Sequence, residues 1–163
     1  MGTTVEEMGE LALVEAVTSR LAGGPLVLLG PGDDAAVVAA PDGRVVATTD
    51  VLVEGRHFKR DWSSAHDVGA RAAAANMADV VAMGAAPTAL LVGLAVPADR
   101  EAEWVLDLAD GIGEEAAAGG AVVVGGDVVR SDVATIAVTA LGTLEGREPV
   151  TRSGARAGDL VAV

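Results

Sequence analysis

The sequence predicts an α/β or α+β fold, a mixed β-sheet packed by helices, and three observations carry that prediction. Short runs of Val and Leu alternate along the chain with longer Ala- and Leu-rich stretches of helical spacing, so strands and helices interleave. Hydrophobic residues make up 51% of the 163, yet only Phe58, Trp62 and Trp104 are aromatic. The core must then be built from Val, Leu, Ala and Ile, which favours helices lying close on a sheet. Several apolar runs lead into loops of Gly, Pro and Asp, which set the boundaries. The length suits one domain with a sizeable core, or half of a two-domain enzyme.

The elements follow in order. Thr4-Val-Glu-Glu7 is a capping-box pattern, and Leu11, Val14, Val17 and Leu21 recur at helical spacing up to Gly23-Gly24. Residues 26–29 form a short apolar strand entering Gly30-Pro-Gly-Asp-Asp-Ala-Ala36. Residues 35–40 and 44–53 flank Pro41-Asp42-Gly43 and are expected to pair as a hairpin. Ser64 with Asp67 opens an Ala-rich helix over 65–83, closed by Gly84-Ala-Ala-Pro87. Residues 87–96 are apolar on both faces, as expected of a strand in a buried central position. Asp99 is expected to cap a helix over 100–118, in which Trp104, Leu108 and Ile112 fall four apart. Strands over 121–124 and 133–144 follow, with Gly125-Gly126-Asp127 as the loop between them.

The chain carries 11 Lys+Arg against 24 Asp+Glu, a formal net charge of −13. Nucleic acids and anionic membranes need a basic footprint, so both are excluded as partners. Lys59 is the only lysine, and no Walker-type phosphate loop occurs. The absence of cysteine rules out disulfides, thiolate nucleophiles and zinc-thiolate sites. Glu6, Glu7 and Glu10 precede the first basic residue, Arg20, which is the wrong polarity for a secretory signal. The uncharged stretch 80–98 is broken by Gly84, Pro87, Gly93 and Pro97, so it is not expected to span a membrane. A cytoplasmic location is expected.

Chemistry points to the acidic loops. Asp34, Asp50, Asp79 and Asp127 each stand beside small or hydroxyl residues, and clustered carboxylates favour hard cations such as Mg²⁺. Thr48-Thr49-Asp50 is a hydroxyl pair next to a carboxylate in a strand. Asp79 interrupts an otherwise apolar helix and shares a face with Asn76, three residues before it. Turn chemistry alone accounts equally well for Asp33-Asp34 and for Gly126-Asp127, and a salt bridge to Arg130 is open to Asp127. His57 and His66 are the only histidines, and neither has a recognisable nucleophile partner.

In matching order over residues 26–163, these strings resemble thiamine-monophosphate kinase: Gly30-Pro-Gly-Asp-Asp-Ala-Ala36, Thr48-Thr-Asp-Val-Leu-Val-Glu-Gly-Arg-His-Phe58, Asn76-Met-Ala-Asp79, Gly125-Gly-Asp127 and Thr151-Arg-Ser-Gly154. The resemblance implies the fold of the N-terminal domain of aminoimidazole ribonucleotide synthetase, a member of the same superfamily. It implies a cluster of Mg²⁺ ions held by Asp34, Thr48, Thr49, Asp50, Asp79 and Asp127, bridging ATP to the acceptor. Gly126, Asp127 and Arg152 would then contact ATP, and His57 would touch thiamine monophosphate. The implied reaction is direct in-line transfer of the γ-phosphoryl group to give thiamine diphosphate, with no protein nucleophile or base. The resemblance also implies a homodimer formed through sheet strands. Residues 1–150 would be the metal/ATP-binding and dimerisation domain. Residues 151–163 would be a connector and the start of a C-terminal domain, without which the isolated chain is expected to be inactive. Two alternatives stand beside this: another superfamily member such as aminoimidazole ribonucleotide synthetase, or a non-catalytic dimerisation or metal-binding module.

Overall fold

The computed structural model describes residues 2–32 and 35–160. A four-stranded mixed sheet runs in the order β3 (Val46–Val53), β6 (Thr135–Thr143), β4 (Ala86–Val96) and β5 (Val122–Arg130). The β3/β6 and β6/β4 pairs are antiparallel, and β4/β5 is parallel. Helices α3 (Ala65–Ala82) and α4 (Ala102–Ala118) pack on one face of this sheet. A separate two-stranded ribbon joins β1 (Val27–Leu29) to β2 (Val37–Val38).

Alternation assigns the two sheet faces. Ile136, Val138 and Ala140 of β6 and Leu90, Leu94 and Val96 of β4 are buried and belong to the core. The residues between them face the other way, where Val51, Leu91 and Val129 remain exposed. Strand β4 is therefore central, as its apolar run predicts, but the described residues cover only one of its faces.

Helix α3 lies very close to α4. A Cβ on Gly69 would fall on the Leu108 carbonyl, and one on Gly111 would fall on the His66 carbonyl. Only glycine permits backbones to approach so nearly. The predicted capping box of Thr4 with Glu7 forms, and the predicted helix start at Ser64 with Asp67 is a capping box as well. The Ser64 hydroxyl and N–H both donate to Asp67, and they hold its carboxyl below the ordinary carboxylate value.

Four expectations are corrected. The N-terminal helix is split into α1 (Val5–Met8) and α2 (Glu10–Thr18), because Gly9 takes φ +80° and ψ 154°. Residues 41–43 do form a turn, with Asp42 accepting from the Arg44 N–H at 3.1 Å, but the flanking segments do not pair. Instead β2 pairs with β1 and β3 pairs with β6, and Asp42 ties its turn to the Gly146 N–H at 3.1 Å. Helix α4 starts two residues later than expected, with Glu101 at the N-cap position in place of Asp99 and no side-chain cap bond. Gly125, Gly126 and Asp127 are not a loop; they lie within β5. The β4/β5 register slips between Leu90/Val123 and Leu91/Gly125, which leaves Val124 as an extra residue in β5. Just beyond it, a Cβ on Gly126 would fall on the Val92 carbonyl, so this glycine has a packing cause within the strand.

Candidate functional site

The seam between β3 and α3 gathers three of the six predicted metal ligands, Thr48, Asp50 and Asp79. Thr48 and Asp50 are two apart on the strand and so share its helix-side face. On the facing helix, Asn76 and Asp79 are three apart and also share a face. The Thr48 hydroxyl donates to Asp79 Oδ2 at 3.1 Å, and the Asp50 backbone N–H donates to Asn76 Oδ1 at 2.9 Å. The Asn76 Nδ2 donates in turn to the Ala72 carbonyl at 2.9 Å, and the residue is only 2% exposed. Asp50 and Asp79 are both exposed, and neither has a cationic partner within 4.0 Å among the described residues. Every polar donor to a ligand here is oxygen. That set suits a hard divalent cation such as Mg²⁺ or Mn²⁺ and offers nothing to a soft one.

The remaining predicted residues lie elsewhere. Thr49 turns to the opposite face, where its hydroxyl donates to the Val138 carbonyl at 3.0 Å and accepts from Thr139 at 3.1 Å. Asp127 pairs in register with Gly93 on that same outward face of β5, at the far edge of the sheet from β3. Three strand spacings, on the order of 14 Å, separate the two edges. Arg130 is bridged to Glu6 at 3.8 Å rather than to Asp127. Arg152 lies exposed in a 3₁₀ turn, Arg152–Gly154, after the sheet. Asp34 lies outside the described residues. Among the described residues, no three His, Asp or Glu side chains converge as a ready-made metal site.

His57 sits in the exposed turn after β3, and its Nδ1 accepts the Val53 N–H at 3.0 Å. A backbone amide can only donate, so the neutral ring carries its proton on Nε2. Arg71 on α3 donates to the His57 carbonyl at 2.8 Å and ties this turn to the helix. On the other side, Glu54 accepts from buried Arg100 at 2.8 Å and from Arg60 at 2.9 Å. Arg100 in turn stacks on Trp104, which stacks on buried Phe58. The contributions of Arg71 and Arg100 were not legible in the sequence, because both act across long chain separations. The signal at Asn76 was present: an amide inside a buried Ala-rich helix needs partners.

Comparison with known proteins places this chain in a family. Residues 32–144 match the family described as AIR synthase related protein, N-terminal domain. The thiamine-monophosphate kinase of Mycobacterium tuberculosis is 49% identical over 160 residues, covering 98% of this chain and 48% of the relative. That of Corynebacterium glutamicum is 42% identical over 160 residues, covering 96% and 47%. The chain thus spans about half the length of the curated relatives it matches. Among solved structures, thiamine monophosphate kinase from Aquifex aeolicus superposes with a TM-score of 0.65 at 36% identity, over 70% of this chain and 38% of that one. AaThiL complexed with AMPPCP and TMP gives a TM-score of 0.60 at 31% identity, over 84% and 42%. The hydrogenase maturation protein HypE shares the fold at 22% identity and a TM-score of 0.62, over 80% and 37%. The chain belongs to the AIR synthase related proteins, as their N-terminal domain.

Proposed function

We propose that this chain is the metal- and nucleotide-binding half of an enzyme that moves the γ-phosphoryl group of ATP to thiamine monophosphate, giving thiamine diphosphate. The observation that carries the proposal is the β3–α3 seam. Two exposed carboxylates and a hydroxyl are held there inside the strings that match thiamine-monophosphate kinases. Support for the substrates comes from AaThiL, which binds AMPPCP and TMP.

Both reactants are anions, and a bound hard cation supplies the positive charge that lets them meet. Thr48, Asp50 and Asp79 would hold such ions, with Asp34 and Asp127 as further ligands; Thr49 would join them only if its hydroxyl released Val138 and Thr139 on the opposite face. His57 is suited to the acceptor, because its Nε2–H is an exposed donor of the kind a phosphate oxygen accepts. Gly126, Asp127 and Arg152 are the proposed ATP contacts. Transfer would be in line and direct, and no nucleophile of the protein takes part.

The position of Asp127 bears on assembly. It stands on the opposite edge and face of the sheet from Asp50 and Asp79, so one copy of the chain does not gather all the ligands. A homodimer formed through the uncovered sheet face and its edges would bring β5 of one copy to β3 of the other. Residues 1–150 would form this dimerising domain, and residues 151–163, of which 151–160 are exposed, would connect it to further parts of the catalytic site. No helix among the described residues is long and apolar enough to cross a membrane. The proposed setting is the cytoplasm.

The test is Mg²⁺-dependent formation of thiamine diphosphate, run on this chain and on a polypeptide extended to the length of its relatives. Product from the extended protein alone is expected. Ring closure of a formylglycinamidine substrate, with no thiamine diphosphate, would transfer the assignment to aminoimidazole ribonucleotide synthetase.

A further inference from the structure

We infer that Asn76 is a positioning residue that sets Asp50 against Asp79 for cation binding, an inference that rests on the metal reading above. Helix α3 and strand β3 are joined at two points, and the two joints form a closed circuit. Asp79 accepts from Thr48, Thr48 leads along the strand to Asp50, the Asp50 N–H donates to Asn76, and Asn76 leads along the helix back to Asp79. A single joint would leave a pivot. Two joints, spaced by two residues on the strand and three on the helix, fix both the separation and the tilt of the strand over the helix.

The chemistry of position 76 fits this task better than it fits packing. The side chain is buried on a stretch of helix whose neighbours Ala72, Ala73, Met77 and Val80 are buried too, where an apolar residue of similar size would pack without any need for partners. Asn is a poorer helix former than the surrounding alanines, and its buried amide is tolerable only because both ends are bonded. Its Nδ2 anchors the amide plane to the Ala72 carbonyl, which aims Oδ1 at the strand. Asp50 and Asp79 carry like charges on either side of the seam, and no Lys or Arg lies within 4.0 Å of either among the described residues, so without a cation nothing in direct contact draws them together. The clamp opposes the resulting drift of the strand. It therefore acts on how tightly the ion is held, and only through Asp50.

The probe is Mn²⁺ alone, titrated into the purified chain and followed by electron paramagnetic resonance, with amide hydrogen exchange recorded on the same samples. In Asn76→Leu the branching of the side chain is kept, at a somewhat larger volume, and both bonds are lost. Asn76→Ser serves as a smaller variant in case Leu does not fold. In a folded variant, we expect the Mn²⁺ dissociation constant to rise about tenfold, the scale for loss of a residue that orients a metal ligand. The Asp50 amide should exchange faster, while amides at the far end of β3 hold their rates. Unchanged Mn²⁺ affinity in a folded variant, alongside clear binding by the unaltered chain, overturns the inference and makes Asn76 a packing residue. Absence of Mn²⁺ binding by the unaltered chain is a different result. It removes the metal reading itself, and this inference with it.

Discussion

Asp50 and Thr49 are neighbours in sequence, yet they serve opposite sides of the sheet. The Thr49 hydroxyl is spent on Val138 and Thr139, whereas the Asp50 carboxylate is exposed beside α3. The period-2 geometry of a strand would have separated them from sequence alone, had the register been applied. Asp79 is likewise exposed, so both carboxylates are available to a ligand and contribute little to the core. Asp50→Asn should accordingly leave the melting temperature nearly unchanged. In the polypeptide of full family length it should lower turnover by on the order of a thousandfold, since electrostatic stabilisation is often the largest catalytic contribution. Steady-state kinetics and a thermal melt on the same preparation check both halves, and near-normal turnover would remove Asp50 from the site.

Helix α3 is the element that presents the site, and its start is fixed by the reciprocal Ser64–Asp67 cap. Ser64→Ala should cost about 1 kcal/mol, or roughly 2–4 °C in melting temperature for a chain of this size. The Asp67 carboxyl is held low in the folded state, so its stabilising effect is present above the ordinary carboxylate value and is lost as pH falls through the folded-state value. The melting difference between the unaltered chain and Asp67→Ala should therefore narrow on acidification. A gap independent of pH would mean that the carboxylate is not the stabilising form. Caps such as this were legible because they are local: four consecutive residues contain the whole interaction. The same holds for the 41–43 turn. What the turn could not reveal was which strands pair beyond it, since β3 finds its partner in β6, some 90 residues on. Gly125-Gly126-Asp127 reads as a loop in sequence for a related reason. Its glycines answer to the Val92 carbonyl and to the slipped β4/β5 register, and both depend on β4.

At the scale of the whole molecule, the described residues cover one face of the sheet and leave the other bare. Val51, Leu91 and Val129 stand exposed on the bare side, and β3 and β5 are its two free edges. If two copies share each site, Asp50 of one works with Asp127 of its partner. Asp50→Asn and Asp127→Asn proteins of full family length, each inactive alone, should then recover activity when unfolded together and refolded as a mixture. Random pairing makes half the dimers mixed, each with one intact site of two, for about a quarter of normal activity. No recovery in a mixture shown to contain mixed dimers would place all the ligands in one copy. The close crossing of α3 and α4 carries a consequence for either case. Sliding α3 by one turn, about 5.4 Å, would bring Ala65 or Ala73 to the place of Gly69 and drive a methyl group into the Leu108 carbonyl. The helix pair therefore has a single setting, like a key cut for one lock. Asp79 lies ten residues further on, about 15 Å along the axis, so its height over the strand is dictated by a methyl group that is absent near the other end of the helix. Drift in ligand preference within this scaffold would have to come from β3 and its loop, because the helix has nowhere else to go.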